Sequence, residues 1–115
     1  MNPAENLRKP ASQHVVRAHQ DAICGLAMDD GKDFADAKRG FVDALPNAEY
    51  RAEDGRVIWS MASYDFLNEE TAPDSINPSL WRQAQLNAIH GLFEVTAGVY
   101  QIRGMDMANM TIVEG

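Results

Sequence analysis

The chain has 115 residues, of which 45% are hydrophobic and 23% are charged. That length suits one domain, and the composition is typical of a globular protein. The 10 basic and 17 acidic residues give a net charge of -7, and the lysines and arginines form no cationic stripe. We therefore expect neither nucleic acid nor an anionic membrane surface as a partner.

The N-terminus lacks the apolar stretch of a signal peptide, and no segment approaches the roughly 18 apolar residues of a membrane span. The sequence predicts a soluble protein without a membrane span, either cytoplasmic or a mature periplasmic or secreted form. The single cysteine, Cys24, excludes an internal disulfide, and we expect it to pack as a small apolar residue inside a helix.

The first part of the chain predicts an arm and two helices. The first eleven residues contain two prolines and alternating charges, which favours an extended arm. Ser12 is a suitable N-cap for a helix that runs to Met28, with apolar residues at three- and four-residue spacing. A second, shorter helix, capped by Asp33, is expected to continue through Phe41.

The remainder of the chain predicts a hairpin, a long helix and strands. The sequence Glu53-Asp54-Gly55 between two strand-like runs predicts a hairpin with an Asp-Gly turn. Residues 68–77 are predicted to form a loop. Asn77 and Pro78 are a suitable cap and first residue of the longest helix, which Gly91 is expected to end. Three strand-like segments follow: Phe93–Val95, Val99–Ile102 and Met110–Val113.

The sequence contains few patterns that are typical of catalytic or metal-binding sites. His14 and His19 are five residues apart, which does not place two ligands on one helix face, and His90 near a helix end is expected to be structural. The paired acids lie in polar turns, and neither a nucleophile elbow nor a phosphate loop is present. The sequence predicts no catalytic residue and no metal ligand within this chain.

Several runs together carry a resemblance to one family. They are Asp33–Phe41, Gly55–Trp59, Ser63–Leu67, Ile76–Asn87, His90–Val95, Gly98–Gly104 and Asn109–Thr111. The most distinctive is the Asn-Pro-Ser-Leu-Trp-Arg-Gln sequence of Asn77–Gln83. The runs resemble the N-terminal part of the alkyl sulfatases of the metallo-β-lactamase superfamily, over about residues 33–115.

This resemblance implies a hydrolase that cleaves sulfate esters of long-chain alcohols, such as dodecyl sulfate, with two zinc ions and a metal-held hydroxide. In the family, the His-x-His-x-Asp-His metal motif lies beyond the point where this sequence ends. The resemblance therefore implies that this chain alone binds no zinc and is inactive. The implied partners are the remainder of the sulfatase polypeptide, the alkyl sulfate substrate and a second copy in a homodimer.

The implied fold class is α+β. An N-terminal arm and helix would occupy residues 1–32, and residues 33–115 would begin the catalytic domain. In that interpretation, helices and a small hairpin lead into the first strands of a metallo-β-lactamase-like αββα sandwich, which this chain leaves incomplete.

The resemblance also places one segment, Arg103–Asn109, at the tip of a hairpin that borders the active-site mouth in this superfamily. We expect Asp106 and Asn109 to orient this tip. Met105 and Met107 would present soft apolar surface to an alkyl chain, although this Met-Asp-Met sequence differs modestly from the aromatic-containing version of the family. The alternative is a plain turn with packing methionines.

The other residues in the matching runs have structural interpretations. Large apolar side chains are expected to pack the arm onto the sandwich: Trp59, Tyr64, Phe66, Trp81 and Phe93. Arg82 is expected to pair with Asp65 or Glu94. A rival hypothesis is a stand-alone binding or dimerisation module that uses Trp81, or the remnant of a broken gene. The edge of the strand Met110–Val113 separates these hypotheses, because a self-sufficient module should cover it.

Overall fold

The computed structural model describes residues 9–28 and 30–115. Most of the predicted arm, residues 1–8, lies outside the described residues. The helices are α1 (Gln13–Ala22), α2 (Lys32–Lys38) and α3 (Pro78–Asn87). The strands are β1 (Phe41–Asp43), β2 (Glu49–Arg51), β3 (Val57–Ser60), β4 (Gly91–Thr96), β5 (Val99–Arg103) and β6 (Met110–Val113). The predicted α+β class is confirmed.

The strands form two antiparallel sheets. The larger sheet has the order β1-β4-β5-β6, and β2 and β3 form a separate hairpin. Ile102 of β5 lies opposite Leu92 on one side and Met110 on the other. Because directly opposite residues project to the same face, these three side chains share one face of the sheet. Phe93, paired with Phe41, belongs to the opposite face.

Few apolar side chains are buried in the described part of the chain. They are Phe93, which has no exposed surface, Trp81 at 5% and Leu67 at 7%. The ring of Phe41 meets Phe93 edge-on, with 5.6 Å between the ring centroids. All four residues of β6 stay exposed, with Met110 at 60% and Val113 at 68%.

The molecule is a thin slab. It measures 56 × 42 × 18 Å, and the radius of gyration of its Cα atoms is 17.9 Å. A compact domain of this length has a radius of gyration of about 13 Å. The described chain is therefore more extended than a compact domain of its length.

Two predicted helices end earlier in the structure than the sequence suggested. Helix α1 ends at Ala22 and not at Met28, because Gly25 adopts a left-handed φ of 80° after it. Helix α2 begins at Lys32 without a side-chain cap from Asp33. The prediction that Phe41 belongs to this helix was wrong. Gly40 turns the chain, and Phe41 enters β1.

Gly91 also differs from its prediction. Helix α3 ends at Asn87, with Ala88 as its C-cap, and Gly91 is the first residue of β4. A Cβ atom at Gly91 would lie 2.6 Å from the carbonyl oxygen of Asp43. The glycine therefore serves the close approach of β1 to β4, and does not end the helix.

Other local predictions are confirmed. The Asn77 side chain accepts a hydrogen bond of 2.9 Å from the backbone N–H of Ser79, as expected of the N-cap of α3. The hairpin around Gly55 forms between β2 and β3. The prediction for Cys24 was wrong, because the early end of α1 leaves this thiol exposed.

Arg82 does not pair with the carboxylates that the sequence suggested. Its guanidinium lies 3.0 Å from the carboxylate of Asp33 and donates a 2.9 Å hydrogen bond to the carbonyl oxygen of Asp30. It also stacks over the ring of Phe34, 5.3 Å from the centroid. The reason is packing, since α2 lies beside α3. Arg82 therefore fastens these two helices together.

Candidate functional site

A groove of about 570 Å³ opens where the β5–β6 loop faces the end of β3 and the C-terminal end of α3. That volume is within the range of about 300–1,000 Å³ found for small-molecule sites. Its apolar lining includes five large side chains: Trp59, Tyr64, Leu67, Leu86 and Ile89. The loop that follows Arg103 lines another side of the groove. An apolar groove with a polar loop along one side suits a ligand with a long apolar part.

The structure brings together three of the four residues that the sequence singled out. Asp106, Met107 and Asn109 all line the groove, whereas Met105 is half-buried and does not line it. Met107 is 94% exposed, which places its side chain at the rim. The carboxylate of Asp106 accepts a 2.6 Å hydrogen bond from the backbone N–H of Met107. The assignment of these four residues to substrate binding stays a prediction.

Gly104 starts the loop in a conformation that favours glycine. Its φ is 76°, in the left-handed region. A Cβ atom at this position would lie 2.5 Å from the Cβ atom of His90. The loop therefore leaves β5 directly against the residue that precedes β4.

Trp59 connects the small hairpin to this loop. Its indole Nε1–H donates a 2.8 Å hydrogen bond to the carbonyl oxygen of Gly104. The ring is half-buried and forms part of the groove wall. The sequence indicated only packing for Trp59 and did not reveal this bond. One general rule could have indicated it, because a buried indole N–H usually finds a hydrogen-bond acceptor.

Arg103 supports the base of the loop. Its guanidinium lies 4.4 Å from the centroid of the Phe93 ring, an attractive cation–π arrangement. Its Nε donates a 2.6 Å hydrogen bond to the side-chain oxygen of Gln101, and another nitrogen donates at 3.3 Å to the carbonyl oxygen of Ala37. Arg103 is therefore engaged with the sheet and with α2.

His19 and His90 are not grouped together, and each ring contacts a backbone carbonyl oxygen. The Nδ1 atom of His19 is 2.9 Å from the carbonyl oxygen of Asp74, and that of His90 is 3.1 Å from the carbonyl oxygen of Ala88. Within residues 9–28 and 30–115, no three His, Cys, Asp or Glu side chains are grouped so as to hold a metal ion. The described residues therefore offer no group of side chains that could hold a zinc ion. No helix among them is long and apolar enough to cross a membrane.

No family model matches the chain. Three curated relatives do. The chain is 46% identical over 112 residues to the alkyl/aryl-sulfatase BDS1 of Saccharomyces cerevisiae. It is 48% identical over 113 residues to an (R)-specific secondary-alkylsulfatase of Pseudomonas sp., and 47% identical over 113 residues to a linear primary-alkylsulfatase of Pseudomonas sp.. Each alignment covers 97% of this chain and 17% of the relative.

The fold has a solved counterpart. The structure of the stereoselective inverting sec-alkylsulfatase Pisa1 from Pseudomonas sp. superimposes with a TM-score of 0.81 and 47% sequence identity. The superposition covers 93% of this chain and 17% of that protein. The resemblance to alkyl sulfatases found in the sequence is confirmed. The chain spans about a sixth of the length of the relatives that it matches.

Proposed function

This chain is homologous over 97% of its length to a segment of the alkylsulfatases, and we propose that it acts as the N-terminal part of such an enzyme. The whole polypeptide would hydrolyse sulfate esters of long-chain alcohols, of the dodecyl sulfate type. The observation that carries this proposal is the joint agreement of sequence and fold, at 47% identity and a TM-score of 0.81.

Within the enzyme, the contribution of this segment would be to hold the alkyl chain. Much of the groove lining is apolar, and Met107 would form a flexible apolar rim that accommodates a hydrocarbon chain. Asp106 and Asn109 would orient the loop from within, and Met105 would support it from the half-buried side. Each methylene that the groove removes from water would contribute about 0.8 kcal/mol to substrate binding.

We extend the proposal to the parts of the enzyme outside this chain. The complete fold would be a metallo-β-lactamase-like αββα sandwich, with its first strands in residues 33–115, and the active enzyme would hold two zinc ions as a homodimer. Because the described residues do not group three metal-binding side chains, the zinc ligands would come from elsewhere in the polypeptide.

The remainder of the polypeptide would also cover the surfaces that this segment leaves bare. All four residues of β6 are exposed, and β6 stands at the edge of the larger sheet. Its Met110 and Ile112 side chains are 60% and 43% exposed. An uncovered apolar edge invites pairing with another strand. This favours a segment of a larger enzyme over the rival hypothesis of a self-sufficient module.

The direct test is sulfate release by the full-length polypeptide that carries this sequence. Purified enzyme is incubated with dodecyl sulfate, and with dodecyl phosphate as the control for the ester group. We expect inorganic sulfate from the first substrate and no inorganic phosphate from the second. Elemental analysis of the same sample is expected to find zinc, together with an intact mass well above the 12.7 kDa of this chain. A full-length, zinc-loaded polypeptide that released no sulfate would contradict the proposal.

A further inference from the structure

We propose that Trp59 is a positioning residue that sets the chain-length preference of the groove. This inference rests on the proposed alkyl sulfatase function, and it assigns to Trp59 a role beyond packing. Trp59 acts through the β5–β6 loop, whose rim residue Met107 would contact the far part of the alkyl chain.

A hydrogen bond from Trp59 joins the two separate sheets. Trp59 belongs to β3 of the small hairpin, and Gly104 follows β5 of the larger sheet. Their hydrogen bond of 2.8 Å joins residues that are 45 positions apart, and it is partly buried. Partial exclusion from water makes the bond a stronger constraint than it would be at the surface.

Two further contacts hold the loop, and they act differently from the Trp59 bond. On one side, Gly104 rests against the side chain of His90. Within the loop, the bond from Met107 to Asp106 is local, because it joins adjacent residues. It shapes the turn but does not fix the turn relative to the groove. The Trp59 bond ties the start of the loop to the small hairpin and therefore limits how far the loop can move away from it.

The position of the loop relative to the hairpin determines how much of the alkyl chain the groove contacts. Loss of the bond would free the loop to move outward, and the rim at Met107 would withdraw from the distal methylene groups. A long alkyl chain would lose these contacts, whereas a chain too short to reach the rim would not. Each buried methylene corresponds to roughly a four-fold factor in affinity. The defect should therefore grow with chain length.

The experiment compares two variants of the full-length enzyme, Trp59→Phe and Trp81→Phe. Both replacements keep an aromatic ring and remove one indole N–H. The second is the matched control, because Trp81 donates to the carbonyl oxygen of Glu69 at 3.2 Å and does not line the groove. KM and kcat are measured for octyl sulfate and dodecyl sulfate. Hydrogen–deuterium exchange is followed in the segment 104–109.

For Trp59→Phe we expect the KM of dodecyl sulfate to rise about five-fold, the factor of one lost hydrogen bond. The KM of octyl sulfate should rise by a smaller factor, the change should fall on KM more than on kcat, and exchange in the loop should quicken. Trp81→Phe should change neither the ratio of the two KM values nor the exchange of the loop. If Trp59→Phe does not fold, Trp59→Met, which also has no hydrogen-bond donor in its side chain, serves in the same assay.

An unchanged ratio of KM values in the Trp59 variant would overturn the inference, as would an equal change in the Trp81 variant. Either result leaves the proposed function intact, because the wild-type enzyme still hydrolyses both esters. A wild-type enzyme that hydrolyses neither ester would instead remove the proposed function and this inference with it.

Discussion

Gly104 lies so close to His90 that a Cβ atom at position 104 would be 2.5 Å from the Cβ atom of His90. This contact fastens the end of β5 to the residue just before β4, one strand away. The same glycine accepts the Trp59 hydrogen bond. A single residue without a side chain thus connects the larger sheet, the small hairpin and the start of the groove loop.

The first prediction is that Gly104→Ala destabilises the protein by at least about 2 kcal/mol. About 1–2 kcal/mol comes from placing alanine in the left-handed region, and the collision with His90 adds to it. Gly55→Ala is the matched control. Gly55 has a similar φ of 84°, but nothing lies within 4 Å of the position that a Cβ atom would take there. Urea unfolding of the full-length variants measures both values, and equal losses would show that the His90 contact carries no cost.

The second prediction concerns the guanidinium that joins α2 to α3. Arg82→Ala should lower the free energy of unfolding by about 2–3 kcal/mol, because hydrogen bonds to a charged group in a partly buried site are lost. The Arg82 side chain is only 18% exposed. Lys32→Ala removes the exposed ion pair with Asp36, whose side chains are 75% and 56% exposed. That control should cost less than about 0.5 kcal/mol.

Comparable losses in these two variants would contradict this prediction. The comparison separates an ion pair that packs between helices from one on the surface of a single helix. Measuring both at low and at high salt sharpens the distinction, because salt screens exposed pairs far more than partly buried ones.

The third prediction concerns the buried side chain of the larger sheet. Phe93→Ala should destabilise the protein by about 3–5 kcal/mol, the usual cost of removing a buried phenylalanine ring. It removes the partner of the Phe41 ring and of the Arg103 guanidinium. Phe66→Ala makes the same chemical change at a residue that is 55% exposed, and a smaller loss is expected. Thermal unfolding of both variants checks the order.

The sequence predicted elements well where a local signal acts alone. Asn77 and Pro78 mark the start of α3 by capping chemistry, and the Asp-Gly turn before Arg56 marks the hairpin. The errors arose where tertiary contacts decide. Gly40 ends α2, and a Cβ atom there would collide at 2.0 Å with the carbonyl oxygen of Glu94. That strand pairing is not visible in the helical spacing that placed Phe41 in α2.

The groove was only partly predictable for the same reason. The loop residues Asp106, Met107 and Asn109 are close together in sequence, and the family resemblance identified them. The rest of the lining comes from residues such as Trp59 and Leu86, which lie far apart in the chain. No periodicity connects them. The bond from Trp59 to Gly104 becomes visible only once the hairpin is placed beside the larger sheet.

The final prediction tests the methionines of the loop. Replacing Met105 and Met107 together by serine in the full-length enzyme should raise KM more for long alkyl sulfates than for short ones, because apolar contact with the chain is lost.

The structure indicates that the two methionines contribute differently to this rise in KM. Met107 lines the groove and is 94% exposed, whereas Met105 does not line it. The single Met107→Ser variant should therefore reproduce most of the change in KM, and Met105→Ser should chiefly lower stability. A series from octyl to tetradecyl sulfate checks this, and a uniform rise in KM at every length would favour a plain turn with packing methionines.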